Sequence, residues 1–297
     1  MKYFSLFTGI GGLDLGLEKR GAKCVGYSDI KVLSIRIYSS HYPEHKNFGD
    51  ITLINFKELP DFDMLTGGFP CQSFSMAGMR KGFDDGKGKK GAMVLYIHRL
   101  LLAKKPQYFV LENVKWILNH DEGKTYKKVF RLFESAGYHV RVVLFNSALY
   151  GSAQARERVL FIGSRTKFEL PAPRKVDGTK LFRDIRDHVG PFKWVSEIAM
   201  KRLEAGGRFI FLGGYDRVNT LTTGMSSSGR DMLVVQEENG RFRYLTALEG
   251  ERLQGFPDGW TVCETEGNRW FGIGNAVNGK VSEYVFTEYL PKVFSWK

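Results

Sequence analysis

Cys71 stands in the run Gly-Gly-Phe-Pro-Cys-Gln-Ser-Phe-Ser (67–75), between a proline and a glutamine and just past two glycines. Such a residue could be a buried filler, a redox thiol, a metal ligand or a nucleophile. A structural cysteine prefers the middle of an apolar element, whereas Cys71 leaves a short apolar run at Gly67, Gly68, Phe69 and Pro70. The other two cysteines, Cys24 and Cys263, are far away in sequence, so no redox partner stands nearby. The six histidines show no metal-ligand spacing alongside cysteine, and no metal is expected. A reactive thiol needs partial exposure and positive surroundings to lower its pKa from about 8.5. Arg80, Lys81, Lys87, Lys89 and Lys90, in the glycine-rich stretch 72–92, could supply that charge if the stretch folds over the site.

Other chemistry-bearing residues sit at places where extended runs end. Gly9, Gly11 and Gly12 follow a β-rich run, which lets backbone approach a ligand before a helix begins. Leu13 and Asp14 occupy the region where a dinucleotide fingerprint carries its third glycine, so the pattern suits a nucleoside without a pyrophosphate. Asp29 closes the next run, the usual place for a carboxylate that takes a ribose hydroxyl. Asp50 ends a third unit. Glu112, in Leu-Glu-Asn-Val beside an apolar run, could be protonated by burial and act as an acid. Gln154, Arg156 and Arg158 lie along one extended segment, and alternation points both arginines to the same face.

The elements that must position these groups alternate. Residues 2–7, 22–29, 63–68 and 106–114 read as strands, with helical stretches at 13–21, 30–42, 92–105 and 125–137, the last closed by Gly137. The runs 139–148 and 157–163 read as a strand pair. Strands alternating with helices predict an α/β fold around a mostly parallel sheet, whose ligands sit at the carboxyl ends of strands. Composition changes near Lys167, where residues 168–180 carry two prolines and mixed charge and read as a linker. Residues from about 168 to 268 lack the alternation and form a candidate second domain.

Bulk properties narrow the classes. The 297 residues suffice for one or two domains, and 43% hydrophobic with 26% charged residues is ordinary for a soluble protein. No apolar run reaches the ~18 residues of a membrane span. Glycines arrive too early in the N-terminal run for a signal-peptide core, so a cytoplasmic setting is expected. The net charge of +12 suits a polyanionic partner, most simply nucleic acid, although solubility alone would also favour it.

Taken in order, FTGIGG, GDIT, GGFPCQSFS, ENV, QARERV, LTALEGERLQGFPDGW and IGNAV resemble the blocks of the C5-cytosine DNA methyltransferases of bacterial or phage type. Those blocks run from residue 3 to about 290, leaving only residues 168–215 outside.

The resemblance implies an S-adenosylmethionine-dependent, Rossmann-like catalytic domain at 1–166 plus 270–297, with a target-recognition domain at 167–269. It implies that Cys71 adds to C6 of a cytosine flipped out of double-stranded DNA, and that Glu112 holds N3 and the exocyclic amine. Arg156 and Arg158 would grip the cytosine O2, a phosphate or Glu112, with Arg158 favoured for O2. The implied cofactor residues are Phe7, Gly9, Ile10, Gly12, Asp29, Ile30, Asp50, Ile51, Gly68, Pro70, Asn275, Ala276 and Val277. Here Asp29 replaces the glutamate common in the family. The implied DNA contacts are Gln72, Ser75, Gln154, Thr220 and Arg230, with the stretch 72–92 closing over the flipped base. A monomer is expected, acting alone or beside a restriction endonuclease. The alternatives are a transfer-RNA methyltransferase, a catalytically silent DNA-binding relative and an NAD-dependent oxidoreductase. The chain lacks the Cys-Phe-Thr element of the transfer-RNA branch, retains every matched position and has an incomplete glycine fingerprint.

Overall fold

A computed structural model of the chain describes residues 1–70, 93–178, 180–204, 209–212, 217–223 and 232–296. The expected strands form one six-stranded sheet. Its strands are β1 (Lys2–Leu6), β2 (Lys23–Ser28), β3 (Met64–Gly68), β4 (Tyr108–Val114), β5 (His139–Asn146) and, after a two-residue strand β6 (Gln154–Ala155), β7 (Glu157–Ser164). The order is β2-β1-β3-β4-β7-β5. The first four strands run parallel, and β7 is antiparallel to both of its neighbours.

The two-residue period sorts side chains between two buried faces, which is why these strands read as near-continuous apolar runs. Phe4, Leu65, Phe109, Leu111 and Phe161 join one apolar cluster. Tyr3, Met64, Val110, Leu160 and Ile162 join the other. The first cluster is covered by α3 (Met93–Lys104) and α4 (Lys124–Ser135), through residues such as Ile97, Leu101, Val129 and Phe133. The second is covered by α1 (Asp14–Lys19) and by α8 (Gly279–Tyr284) with the residues after it. The C-terminal stretch therefore packs back on the N-terminal sheet. α2 (Val32–His41) follows β2.

A third apolar cluster unites Phe182, Val218, Leu221, Leu233, Leu253 and Trp270. Its members come from β9 (Val218–Asn219), β10 (Met232–Gln236), α6 (Ala247–Leu253), α7 (Glu266–Asn275) and the chain around them; α5 (Glu197–Glu204), β8 (Phe209–Leu212) and β11 (Phe242–Tyr244) lie in the same stretch of sequence. Two sequence expectations need correction here. The stretch after Lys167 is no free linker: Phe168, Leu170 and Val176 pack on the second cluster, and the Tyr289 hydroxyl donates to Pro171 C=O at 2.8 Å. The expected boundary at 269/270 falls inside α7, whose Trp270 and Ile273 belong to the third cluster.

Candidate active site

The glycine loop leaves β1 with Phe7 and Gly9 at positive φ, +50° and +60°. The Gly9 N–H donates to Asp29 Oδ2 at 2.8 Å, and the Lys31 N–H donates to Asp29 Oδ1 at 2.8 Å. Each carboxylate oxygen keeps lone-pair capacity for a further donor such as a hydroxyl. Burial pushes the Asp29 carboxyl up, and these N–H groups pull it back. Ile30, next along the chain, stays 68% exposed, as a platform for a flat ring requires. The Asn47 side chain ties the third unit alongside, accepting from the Gly49 N–H at 2.9 Å and donating to Asp29 C=O at 3.1 Å. Asp50 lies there half-buried, accepting the Thr52 N–H at 2.8 Å. Ile51 is 3% exposed and packs its side chain in the first core cluster, which leaves its backbone as the part that can face a cofactor. Ile10 is likewise buried, with Ile37, Phe256, Trp260 and Ala276.

The returning C-terminal block closes this edge. A Cβ on Gly12 would stand 2.2 Å from Val277 C=O, so only glycine permits the approach. Asn275 is exposed, Ala276 buried and Val277 half-buried. The Trp260 indole N–H donates to Ile10 C=O at 2.8 Å, and its ring stacks on His41 with centroids 3.6 Å apart. Sequence reasoning missed Trp260 as a support, although it lies in one of the quoted blocks.

The carboxyl ends of β3 and β4 meet the amino end of antiparallel β7, and there Glu112 and Arg158 come together. Glu112 pairs in register with Leu160, and Val114 with Arg158. Glu112 and Arg158 are thus diagonal neighbours on one face of the sheet, and Arg158 Nε lies 2.9 Å from Glu112 Oε1. Burial pushes the Glu112 carboxyl up; Arg158 and then Arg156 pull it back. A Cβ on Gly68 would lie 3.2 Å from Glu112 Oε2 and 3.8 Å from Val277 Cγ2. The glycine therefore leaves room between the acid and the cofactor edge. The Phe69 N–H donates to Glu112 C=O at 3.3 Å, and the Asn113 side chain donates to Phe69 C=O at 2.9 Å. Asn113, missed as a site residue, fixes the β3 exit that leads through half-buried Pro70 to Cys71. Cys71, Gln72, Ser75, Arg230 and the stretch 72–92 lie outside the described residues.

The segment 154–158 departs further from expectation. Gln154, expected at DNA, is fully buried: Oε1 accepts from the Leu221 N–H at 3.0 Å, and Nε2 donates to Leu253 C=O at 3.2 Å. Arg156 is 3% exposed and donates to the carbonyls of Leu221, Gly274 and Ala276 at 2.9–3.0 Å. Burial, then the neighbouring Arg158, lower its pKa to about 9, against a raising effect from Glu112. Arg156 thus lies close enough to the acid to pull on its carboxyl, but both of its Nη groups are spent on backbone carbonyls. Thr220 is half-buried and donates to Ala155 C=O at 3.0 Å.

A glycine loop after β1, a carboxylate after β2 and a buried acid–arginine pair on β4 and β7 thus stand together on one α/β sheet. Solved methyltransferases share this fold. S. pombe Dnmt2 methyltransferase superposes with a TM-score of 0.81 at 21% identity, covering 98% of this chain and 99% of its own. The Entamoeba histolytica methyltransferase EhMeth gives 0.79 at 18% identity, covering 98% of each. The sequence profile of the C-5 cytosine-specific DNA methylases matches residues 1–290. The chain belongs to that family and is a DNA cytosine-5 methyltransferase. It is 32% identical to the type II methyltransferase M1.ScrFI of Lactococcus lactis subsp. cremoris, over 93% of this chain and 74% of the relative. It is also 32% identical to the type II methyltransferase M.NlaX of Neisseria lactamica, over 93% and 92%.

Proposed function

We propose that the protein methylates C5 of a cytosine flipped from duplex DNA, using S-adenosylmethionine, with Cys71 as nucleophile and Glu112 as acid. The observation that carries this is the β3 exit: Phe69, two residues before Cys71, is bonded to Glu112 C=O and to the Asn113 side chain. That linkage sets the start of the nucleophile's loop against the acid it must work with.

The residues at the cofactor edge fit S-adenosylmethionine. Asp29 keeps acceptor capacity for ribose hydroxyls, Ile30 offers an exposed apolar face, and the missing side chain of Gly68 leaves space between Glu112 and Val277. Bound there, the cofactor supplies an electrophilic methyl group. Asp50 and Asn275 flank the same edge.

A base inside a duplex must leave the stack before a thiol reaches it, at a cost on the order of a few kcal/mol. Cys71 adds as thiolate to C6 while the Glu112 carboxyl holds N3, which lets the ring accept the electron pair. C5 then takes the methyl group, loses its proton, and the Cys71–C6 bond breaks as the double bond returns. In this reading Arg158 holds the cytosine O2, which its pairing with Glu112 at 2.9 Å supports. The likeness to type II enzymes suggests protection of DNA against a matching endonuclease. The test is transfer of labelled methyl groups from S-adenosylmethionine to duplex DNA, read out at C5. Cys71→Ser is expected to abolish turnover. Transfer to tRNA and not to duplex DNA, or full rate in Cys71→Ser, overturns the proposal.

A further inference from the structure

β6 and β9 pair in parallel, Gln154 with Val218 and Ala155 with Asn219, which brings Gln154 and Arg156 to the same residue further along. Gln154 Oε1 accepts the Leu221 N–H at 3.0 Å, and Arg156 Nη1 donates to the Leu221 C=O at 3.0 Å. Both backbone groups of one residue are therefore taken by two side chains spaced two apart. The second arm of Arg156 donates to Gly274 C=O at 3.0 Å and to Ala276 C=O at 2.9 Å. Close packing reinforces the junction, because a Cβ on Gly274 would stand 2.6 Å from the Thr222 carbonyl carbon. Leu221 adjoins Thr220, an expected DNA contact, and Ala276 adjoins Val277, which closes on Gly12 and Gly68 at the cofactor edge. One guanidinium thus holds a segment of the expected recognition region and the block that seals the cofactor edge.

We propose that Gln154 and Arg156 are positioning residues that clamp Leu221 to the 274–276 block, so that cofactor binding and DNA binding strengthen each other through this junction. The inference rests on the methyltransferase reading above. A planar fork with five donors can serve three carbonyls at once; a lysine ammonium has neither the reach nor the planarity. Loosening the clamp lets either site fill without pulling the other into place, which lowers the coupling between the two ligands more than their separate affinities.

The measurement is the affinity for a duplex containing the mapped methylation site, with and without S-adenosylhomocysteine, and the ratio of the two affinities is the coupling. In Arg156→Lys the coupling is expected to fall at least about fivefold, while the affinity for S-adenosylhomocysteine alone stays within about threefold. Gln154→Met, which removes both side-chain hydrogen bonds at similar length, should move it the same way. If these buried variants fail to fold, Thr220→Val, which loses only the hydroxyl bond to Ala155 C=O, should lower the coupling by a smaller factor. Unchanged coupling in the folded variants, equal losses of both separate affinities, or no coupling in the unmodified protein overturns the clamp. Absence of methyl transfer to duplex DNA would instead strike at the function itself.

Discussion

Two buried carboxyls define what single residues do here. Glu112 is pushed above the ordinary carboxylate range by burial, against the pull of Arg158 and Arg156. Its proton therefore persists to higher pH than that of a free glutamate. If that proton holds N3 in the reaction, the rate falls as pH rises through the raised pKa, while ionisation of Cys71 acts in the opposite sense. Glu112→Gln is expected to lower the single-turnover rate by about 10²–10⁴ and to remove the falling limb of the pH profile. A limb that survives the substitution assigns it to another group. Asp14 lies fully buried under the glycine loop, accepting from the Tyr38 hydroxyl at 2.8 Å and the Ser5 hydroxyl at 3.1 Å. Burial raises its pKa from 3.8 to about 6, while those two hydroxyls lower it. With the folded pKa above the unfolded one, the neutral form's stability is fully present below pH 3.8 and is lost as pH rises through 6. The shift corresponds to about 3 kcal/mol. Relative to the unmodified protein, Asp14→Asn should gain about that much in urea unfolding between pH 3.5 and pH 8. A pH-independent difference between the two proteins would show that Asp14 does not titrate in this range.

At the scale of elements, the return of α8 onto α1 ties the C-terminal stretch to the start of the chain. Gly16 of α1 donates its N–H to the Ser282 hydroxyl at 3.2 Å, and that hydroxyl donates to Leu13 C=O at 2.6 Å. A Cβ on Gly16 would stand 2.3 Å from Ser282 C=O, which is backbone and cannot swing aside. Gly16→Ala should therefore destabilise the protein by about 1–3 kcal/mol despite alanine's better helix propensity, seen as a lowered Tm. A raised Tm would mean the two helices separate at little cost. The sheet and its flanking helices were legible because period-two and helical apolar patterns are local. α7 was not foreseen, since Gly267, Gly272 and Gly274 interrupt any helical pattern there. Two of those glycines are there because Ile10 and the Thr222 backbone press against them. The fates of Gln154 and Arg156 were hidden for a related reason. Alternation along 154–158 gives their side-chain phase, but their partners at Leu221, Gly274 and Ala276 come from 65 to 120 residues away.

Across the whole molecule, chemistry is gathered from distant stretches onto one sheet edge: Asp29 from β2, Glu112 from β4, Arg158 from β7 and Val277 from the C-terminal return. The order of the sequence blocks led to an expectation of such a gathering, whereas the packed stretch after Lys167 and the helix across 269/270 depend on contacts that no local pattern encodes. The net charge of +12 belongs to this scale too. The groups proposed for cofactor and base, Asp29, Glu112 and Arg158, contribute nothing to that excess. If the excess serves the duplex backbone, lysines and arginines displace condensed counterions, and affinity must fall linearly in log–log form with salt. Raising salt from 50 to 200 mM should then weaken binding of a duplex by at least about tenfold, measured by fluorescence anisotropy. Binding of S-adenosylhomocysteine, held by hydrogen bonds and an apolar face at a partly buried edge, should change far less over the same range. A duplex affinity as insensitive to salt as the cofactor's would mean that the positive charge keeps the protein soluble and takes no part in holding DNA.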